Sequence, residues 1–283
     1  SNTDFLDYQS WIIQDTMRGL NPAPKESANG FSSLLLANKN VAEGYRGNGS
    51  GTANNQHQFL LTSNGFQAGP NGAVEFNRGS EAEYIYMAIR APMMIEPTAA
   101  TDVFNIDTAG ANGDGVAPNY RSTFPVDFAL HVKTGSGGPQ AYSRLTGPRY
   151  LYTDSTNDEG STSQSTWDFM NGWYNQNSSQ SVSTGQVVNM WKRAKGFMDA
   201  VCYSGTGSAR TVPHSLSVVP EMMWVKCRSN ANHWRCYSDT LGATKALSLN
   251  MADLPYTLAD VWNNTEPTDE VFTLGSRADV NNN

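Results

Sequence analysis

Charged side chains are scarce in this sequence, and most of the charges that it carries are negative. They make up 16% of the 283 residues, and 19 basic against 26 acidic residues give a formal net charge of −7. Soluble domains usually have about 25% charged residues. The sequence therefore lacks the basic surface with which proteins bind nucleic-acid phosphates. We expect no nucleic-acid partner and a surface made polar by uncharged Asn, Ser, Thr, Gly and Gln.

Cysteines, long apolar runs and heptad repeats are scarce or missing as well. Three cysteines are an odd number, which argues against a disulfide framework as the main source of stability. No run approaches the roughly 18 apolar residues of a membrane-spanning helix, and no heptad pattern persists. The opening residues, SNTDFLDYQSW, do not have the pattern of a signal peptide. We expect no membrane insertion and no long coiled coil.

Turn-forming and aromatic residues, by contrast, are plentiful, with 25 glycines, 13 prolines and 11% aromatics. Short alternating segments recur about every 8 to 12 residues, as in β-sandwiches and barrels. The segment 124–138 alternates most clearly and places on one side Val126, Phe128, Leu130 and Val132. Asn64-Gly65 predicts a hairpin turn, 31–45 fits either a helix or a strand, and 165–176 fits a helical turn. Further strands are predicted in 103–107, 143–154, 186–194, 196–207, 220–228 and 233–240. The pattern predicts an all-β fold with few short helical turns.

Two parts of the chain resemble each other. SNTDFLDYQSWIIQDTMRG (1–19) aligns with SNANHWRCYSDTLGA (229–243), and 58–77 aligns with 270–283 as strand, turn, strand and turn. We therefore divide the chain into a repeat unit over 1–92 that lacks its first strands, an irregular connection over 93–123, a middle β region over 124–195, and a second copy over 196–283 that lacks its last strand. Compared with the second copy, the first unit lacks the strand that 220–228 supplies. Compared with the first, the second copy lacks the strand that 84–92 supplies. We expect either a segment of a longer polypeptide or sheets that neighbouring copies complete.

Four segments carry a family resemblance: FPVDFALHVKT, SRLTGPRYLYTDST, EYIYMAIRAP and the stretch from Trp191 to Arg228. Together they resemble a repeat family of tailed, marine-type bacteriophages, whose members are structural or tail-fibre proteins. The resemblance implies tandem β-sandwiches of the concanavalin A-like (lectin/glucanase) or jelly-roll type. It also implies a virion component of the tail or surface, extracellular after release. The family offers no catalytic or ligand-binding motif, so it transfers no functional residue to this chain.

The function that we expect on these grounds is that of a virion structural protein, not an enzyme, with lectin-like sandwiches that adhere to a host surface. Its partners are then other copies of itself, virion proteins and a host surface glycan. Two alternatives stay open: a purely architectural capsid or tail decoration protein, and a carbohydrate-binding or glycoside-hydrolase module of the same fold. Fold alone does not decide among them.

Residues 167–177 contain the best local candidate for a glycan site. Trp167, Trp173, Tyr174 and Asn175 combine ring surface with hydrogen-bonding groups, as a sugar site requires. The alternative is that Trp167 and Trp173 fill the core of the sandwich.

The loop DTAGANGDG (107–115) contains candidate calcium ligands. Asp107, Asn112 and Asp114 supply the oxygen atoms that hard cations prefer, beside glycines that allow tight turning. The alternative is a loop of Asx turns, in which Asp and Asn bond their own backbone. No other cofactor is expected.

Patterns typical of enzymes are weak. The four histidines, His57, His131, His214 and His233, do not have metal-ligand spacing, and no G-x-S-x-G motif occurs. A glycosidase needs two carboxylates on either side of a sugar, whereas a polar, Ser-rich loop contains Asp154, Asp158 and Glu159. Cys227 and Cys236 are roughly opposite each other in a hairpin over 222–240, as a disulfide or as two free thiols.

Overall fold

The protein is built of antiparallel β-sheets. The structure, a computed structural model, describes residues 11–13, 32–37, 44–46, 59–62, 65–68, 85–88, 94–108, 118–133, 138–162, 165–175 and 186–282. Strands pair antiparallel throughout these ranges. The two α-helices found there have four residues each. The predicted all-β class is confirmed.

The described residues before 94 contain five short strands: β1 (Ile12–Ile13), β2 (Ser32–Leu36), β3 (Gly44–Arg46), β4 (Phe59–Thr62) and β5 (Gly65–Ala68). The segment 31–45 thus supplies strands to a sheet of β1, β2 and β3. The predicted pair of strands around Asn64-Gly65 is confirmed, because β4 and β5 pair as far as Thr62 with Gly65, which begins β5; residues 63–64 between them lie outside the described residues. Most of the predicted repeat unit 1–92 lies outside the described residues, so the repeat stays a prediction.

Residues 94–191 form a β-sandwich, which we call the middle module. Its described strands are β6 (Phe104–Thr108), β7 (Tyr120–Arg121), β8 (Phe128–Lys133), β9 (Gln140–Ser143), β10 (Arg149–Tyr152), β11 (Gly160–Ser161), β12 (Ser165–Thr166), β13 (Gly172–Asn175) and β14 (Gln186–Trp191). The larger sheet has the order β11-β10-β9-β8-β14-β6, and the smaller has the order β12-β13-β7. A core joins both sheets and consists of Tyr120, Phe124, Val126, Ala129, Tyr142, Trp167, Trp173, Val188 and Met190.

The large aromatic residues of this core determine which face of the larger sheet points inward. Trp167, Trp173 and Tyr120 fill the space between the sheets, and β8 turns Ala129 and His131 toward them. Its larger apolar residues, Phe128, Leu130 and Val132, lie on the opposite, outer face. The predicted alternation of this strand is therefore confirmed for these three. Val126 does not share their face, since it precedes β8 and lies in the core.

A buried arginine holds the turns at one end of the middle module. The Arg144 guanidinium donates to the carbonyl oxygens of Val126, at 2.6 Å, and of Trp167, and it pairs with Asp127 Oδ1 at 3.1 Å. Bonds to several acceptors offset the desolvation of this buried cation.

The helical turn predicted for 165–176 is wrong, because this segment forms β12 and β13.

Residues 196–282 form a second unit, the C-terminal module. It contains β15 (Arg210–Pro213), β16 (Met222–Val225), β17 (Arg235–Ser238), β18 (Lys245–Ser248), β19 (Tyr256–Thr257), α1 (Ala259–Trp262), β20 (Val271–Leu274) and α2 (Ala278–Asn281). A four-stranded sheet has the order β16-β17-β18-β19, and β15 pairs with β20. Their shared core includes Val212, Tyr237, Val261, Trp262 and Leu274.

Two predictions about this module are wrong. Residues 196–207 form no strand and have only an isolated bridge from Ala194 to Met198. Residues after β20 form α2 instead of a second strand. Side-chain bonds between the two segments explain both differences. The Asn281 side chain accepts from Thr206 N–H at 2.8 Å, and the Tyr203 hydroxyl donates to the Val280 carbonyl at 2.6 Å.

Direct bonds join the middle and C-terminal modules. The Arg228 guanidinium binds both carboxylate oxygens of Glu159, at 2.7 and 2.8 Å. The backbone N–H of Glu159 also donates to the Arg228 carbonyl at 2.9 Å. Nearby, the Trp234 indole N–H donates to the Tyr152 carbonyl at 2.8 Å. The C-terminal module is thus fastened to the middle module beside β10 and β11.

Candidate interaction surface

The two tryptophans predicted to bind a glycan lie between the sheets. Trp167 and Trp173 are 1% and 0% exposed. Their ring centroids are 5.3 Å apart, and Trp173 also stacks on Tyr120 at 5.6 Å. A sugar cannot reach an indole whose faces are covered in this way. The structure therefore corrects the glycan-site prediction for both residues and supports the alternative, that they fill the core.

The other two residues of that candidate site are also engaged by the fold. Asn175 is buried, and its backbone N–H donates to the Asn119 side-chain oxygen at 3.0 Å. The Asn119 side-chain amide donates in return to the Asn175 carbonyl at 2.9 Å. Tyr174 is partly buried, with its ring 6.5 Å from that of Phe169. These four residues do not form an exposed aromatic platform.

Polar side chains form a buried layer beside the tryptophans. The Tyr120 hydroxyl donates to Gln186 Oε1 at 3.0 Å, and His131 Nε2 lies 3.0 Å from the same oxygen. The Tyr142 hydroxyl donates to Gln140 Oε1 at 3.0 Å. Burial raises the pKa of both phenols above the usual range, so they stay protonated. Bonded networks of this kind favour one packing of the two sheets over others.

Of the predicted calcium ligands, Asp107 lies in the described residues, whereas Asn112 and Asp114 lie outside them. Asp107 Oδ2 accepts from the backbone N–H of Arg121 at 2.6 Å, and Oδ1 accepts from Thr108 N–H at 2.8 Å. Asn105 donates from its side chain to the Arg121 carbonyl at 2.7 Å. Asp107 and Asn105 thus tie β6 to β7 along the side of the sandwich. A calcium ion at this loop stays a prediction.

The cysteines do not form the disulfide that the sequence left open. The register of β16 and β17 places Cys236 opposite Trp224, so Cys227 falls beyond the ladder. Cys202, Cys227 and Cys236 are free thiols.

In the part of the chain that the structure describes, no group of three or more His, Cys, Asp or Glu residues is placed to hold a metal ion. No helix there has the length and apolar character needed to cross a membrane.

The outer face of the six-stranded sheet is mainly apolar. Its side chains form three rows across β6, β14 and β8: Phe104, Trp191 and Phe128; Ile106, Asn189 and Leu130; Thr108, Val187 and Val132. The Trp191 ring lies 5.2 Å from Phe104 and 5.6 Å from Phe128 between centroids. Ile106 is 54% exposed, and the other apolar members are partly buried. We call these nine residues the outer face.

Toward β10 the same side of the sheet is covered. Ala141 and Arg149, which point to this side from β9 and β10, are 5% and 6% exposed. Burial lowers the pKa of Arg149, and the charges of Glu159 and Arg228 also act on it. The Glu159–Arg228 ion pair that joins the two modules therefore lies close to Arg149. The outer face therefore lies beside the part of the sheet that meets the C-terminal module, and Ile106 is its exposed apolar member.

The sequence contains an indication of this face that alternation alone did not reveal. In β14, Val187, Val188, Met190 and Trp191 are apolar on both sides of the strand. Near-continuous apolar strands are typical of sheets covered on both faces. Strand alternation identifies two faces, but it does not say which of them meets the solvent.

The comparisons with known proteins concern mainly the C-terminal half. No curated protein and no solved structure shows significant similarity to the chain. One family, a domain of unknown function (DUF7483), matches residues 146–283, which is slightly less than half of the chain and includes β10 to β14 together with the whole C-terminal module.

Proposed function

We propose that this protein is a virion structural protein, a component of a phage tail or surface, that acts by assembly through its β-modules. The observation that carries the proposal is the outer face, in which seven of the nine side chains are apolar. Contiguous apolar surface of this kind marks protein interaction sites in soluble proteins. The phage assignment is supported by the resemblance of the sequence to bacteriophage structural repeats.

Among the versions of this function, the geometry favours assembly over glycan adhesion. Adhesion required an exposed aromatic platform, and Trp167 and Trp173 are buried in the core. Interface cores, by contrast, are enriched in aromatic and aliphatic residues and poor in charge. The outer face has this composition, since its polar members, Asn189 and Thr108, are both uncharged.

The test is to place a charge on the outer face and measure assembly. We expect Ile106→Lys to weaken self-association of the full chain, or its incorporation into particles, because burying an unpaired ammonium group is costly. Ile95→Lys is the matched control, since Ile95 is 80% exposed and lies outside the sheet. Sedimentation velocity over a range of concentrations provides the measurement.

An unchanged association of Ile106→Lys would remove the support that the outer face gives to this proposal. Saturable adsorption of the chain to host cells, competed by their surface polysaccharide, would instead favour the adhesive version. Antibody labelling of purified virions tests the phage assignment itself.

A further inference from the structure

The β16 edge of the four-stranded sheet in the C-terminal module has the properties of a site to which a further strand can add. In the described residues β16 has a partner on one side only, β17, with which it pairs from Met222 with Ser238 to Val225 with Arg235. Met222 and Trp224 point away from the core and are 63% and 39% exposed. Edge strands are usually protected by lysine, proline or a bulge, and the sequence of β16, MMWV, has neither residue.

A second exposed apolar segment lies far from β16 in the sequence of the same chain. Ile85, Tyr86 and Met87 are 82%, 72% and 83% exposed, and residues 85–88 belong to no strand. They are part of the sequence EYIYMAIR (83–90), in which six hydrophobic residues lie between Glu83 and Arg90. Extended segments of this kind bind to sheet edges through backbone hydrogen bonds, with alternate side chains in contact.

We propose that residues 84–89 of a second copy of this chain add to β16 as an antiparallel strand. The charges at the two ends select this direction. Glu221 precedes β16 and Lys226 follows it, whereas Glu83 precedes the added segment and Arg90 follows it. An antiparallel arrangement turns the Arg90 end toward Glu221 and the Glu83 end toward Lys226, with one of the two pairs opposed in each register, whereas a parallel one turns like charges toward each other. Complementary charges set register and orientation in this way.

The side chains of the added segment also fit the exposed face of the sheet. When Arg90 stands beside Glu221, Ile89 and Met87 fall beside Met222 and Trp224. A shift by two residues, which brings Glu83 to Lys226, keeps the same side chains on the same face. The exposed Met222 and Trp224 are then extended by three apolar side chains, Ile85, Met87 and Ile89. This inference rests on the proposed assembly role and names a partner for it.

A charge exchange in the full chain tests the pairing. We expect Glu221→Arg and Arg90→Glu each to weaken self-association about tenfold, because each places like charges together, and the double variant to recover most of the loss. Glu270→Arg, at an exposed acid before β20, is the matched control and should associate as the wild type does. Sedimentation velocity gives the affinities, and thermal unfolding verifies that each variant folds.

Hydrogen exchange provides a second readout that does not depend on the variants. Amides of residues 222–225 and 84–89 should gain protection together as the concentration rises. Protection that is independent of concentration would mean pairing within one chain, and would overturn the proposal. A double variant that does not recover, or Glu221→Arg that strengthens association, would overturn the antiparallel arrangement. The outer-face variant Ile106→Lys leaves β16 intact, so failure of the assembly proposal and failure of this pairing are distinguishable.

Discussion

The indole N–H of Trp234 donates a 2.8 Å hydrogen bond to the backbone carbonyl of Tyr152, a residue 82 positions earlier in the chain. Tyr152 ends β10 of the middle module, and Trp234 directly precedes β17 of the C-terminal module. Trp234 is almost fully buried. One buried side chain thus forms a polar contact across the module junction.

Trp234→Phe should destabilise the protein by about 1 to 2 kcal/mol, because it keeps a ring but leaves the Tyr152 carbonyl without this donor. Urea unfolding followed by fluorescence and circular dichroism measures the change. Trp224→Phe is the control, with an expected effect within about 0.5 kcal/mol, since Trp224 is partly exposed. Equal destabilisation by both variants would contradict the role assigned to the junction.

Trp173→Ala should destabilise the middle module by about 3 to 5 kcal/mol, the usual cost of removing a large aromatic residue from a core. Its ring contacts those of Tyr120, Tyr142 and Trp167. The midpoint of urea unfolding measures this loss. A variant of unchanged stability that loses binding to a polysaccharide would instead restore the glycan-site interpretation.

Acid should weaken the C-terminal module through Asp279. Burial alone would raise the pKa of this carboxyl, but hydrogen bonds and ion pairs with Arg277 and Arg235 outweigh burial and lower it. Because the folded pKa is depressed, the contribution of Asp279 to stability is complete above the ordinary Asp pKa of about 3.9 and is lost as the pH falls further.

The variant Asp279→Asn tests this pH dependence, because it removes the carboxylate whose pKa is lowered. The variant should be less stable than the wild type at neutral pH, and the difference should shrink as the pH falls below about 4. Unfolding midpoints measured from pH 7 to pH 3 provide the comparison. Asp269→Asn, which alters an exposed carboxylate, should follow the wild-type profile. A difference between Asp279→Asn and the wild type that is constant with pH would contradict the assignment.

Cys227 should react with alkylating reagents before the other two thiols. Burial would raise the pKa of this thiol, but hydrogen bonds from Ser229 and Asn230 outweigh burial and lower it. Burial raises the pKa of Cys236 to about 11 and also raises that of Cys202. Since the thiolate is the nucleophile, the order of reaction should follow the pKa and the accessibility of each thiol.

Iodoacetamide labelling of the native protein with peptide mapping tests this order. The fast site should disappear in Cys227→Ser and persist in Cys202→Ser. Labelling of Cys236 at the rate of Cys227 would show that β17 opens far more readily than its packing indicates.

Local patterns predicted the strands well where the chain alternates or turns tightly. The hairpin at Asn64-Gly65 and β6, β8, β14, β16 and β17 all fall in predicted segments. Predictions were wrong where distant side chains decide the conformation. Residues 196–207 do not form a strand because Tyr203 and Thr206 bond to the last turn of the chain, which no local pattern contains.

The candidate site could be predicted only in part, for a related reason. Alternation in β8 correctly separated Phe128, Leu130 and Val132 from their neighbours. It could not show that Trp167 and Trp173, which come later in the chain, occupy the core against the face of β8 that carries Ala129 and His131. Local sequence predicts the period of a strand, whereas contacts with distant residues decide which face is inside.

The two apolar faces of the six-stranded sheet have a practical consequence for work with isolated parts of the molecule. A fragment that ended before residue 196 would lose the junction formed by Arg228 and Trp234 and would expose the side of the sheet on which Ala141 and Arg149 are buried. Such a fragment would expose additional surface beside the mainly apolar outer face and would precipitate more readily than the full chain. The six-stranded sheet therefore packs on both of its faces, with the sandwich core on one side and the C-terminal module against part of the other.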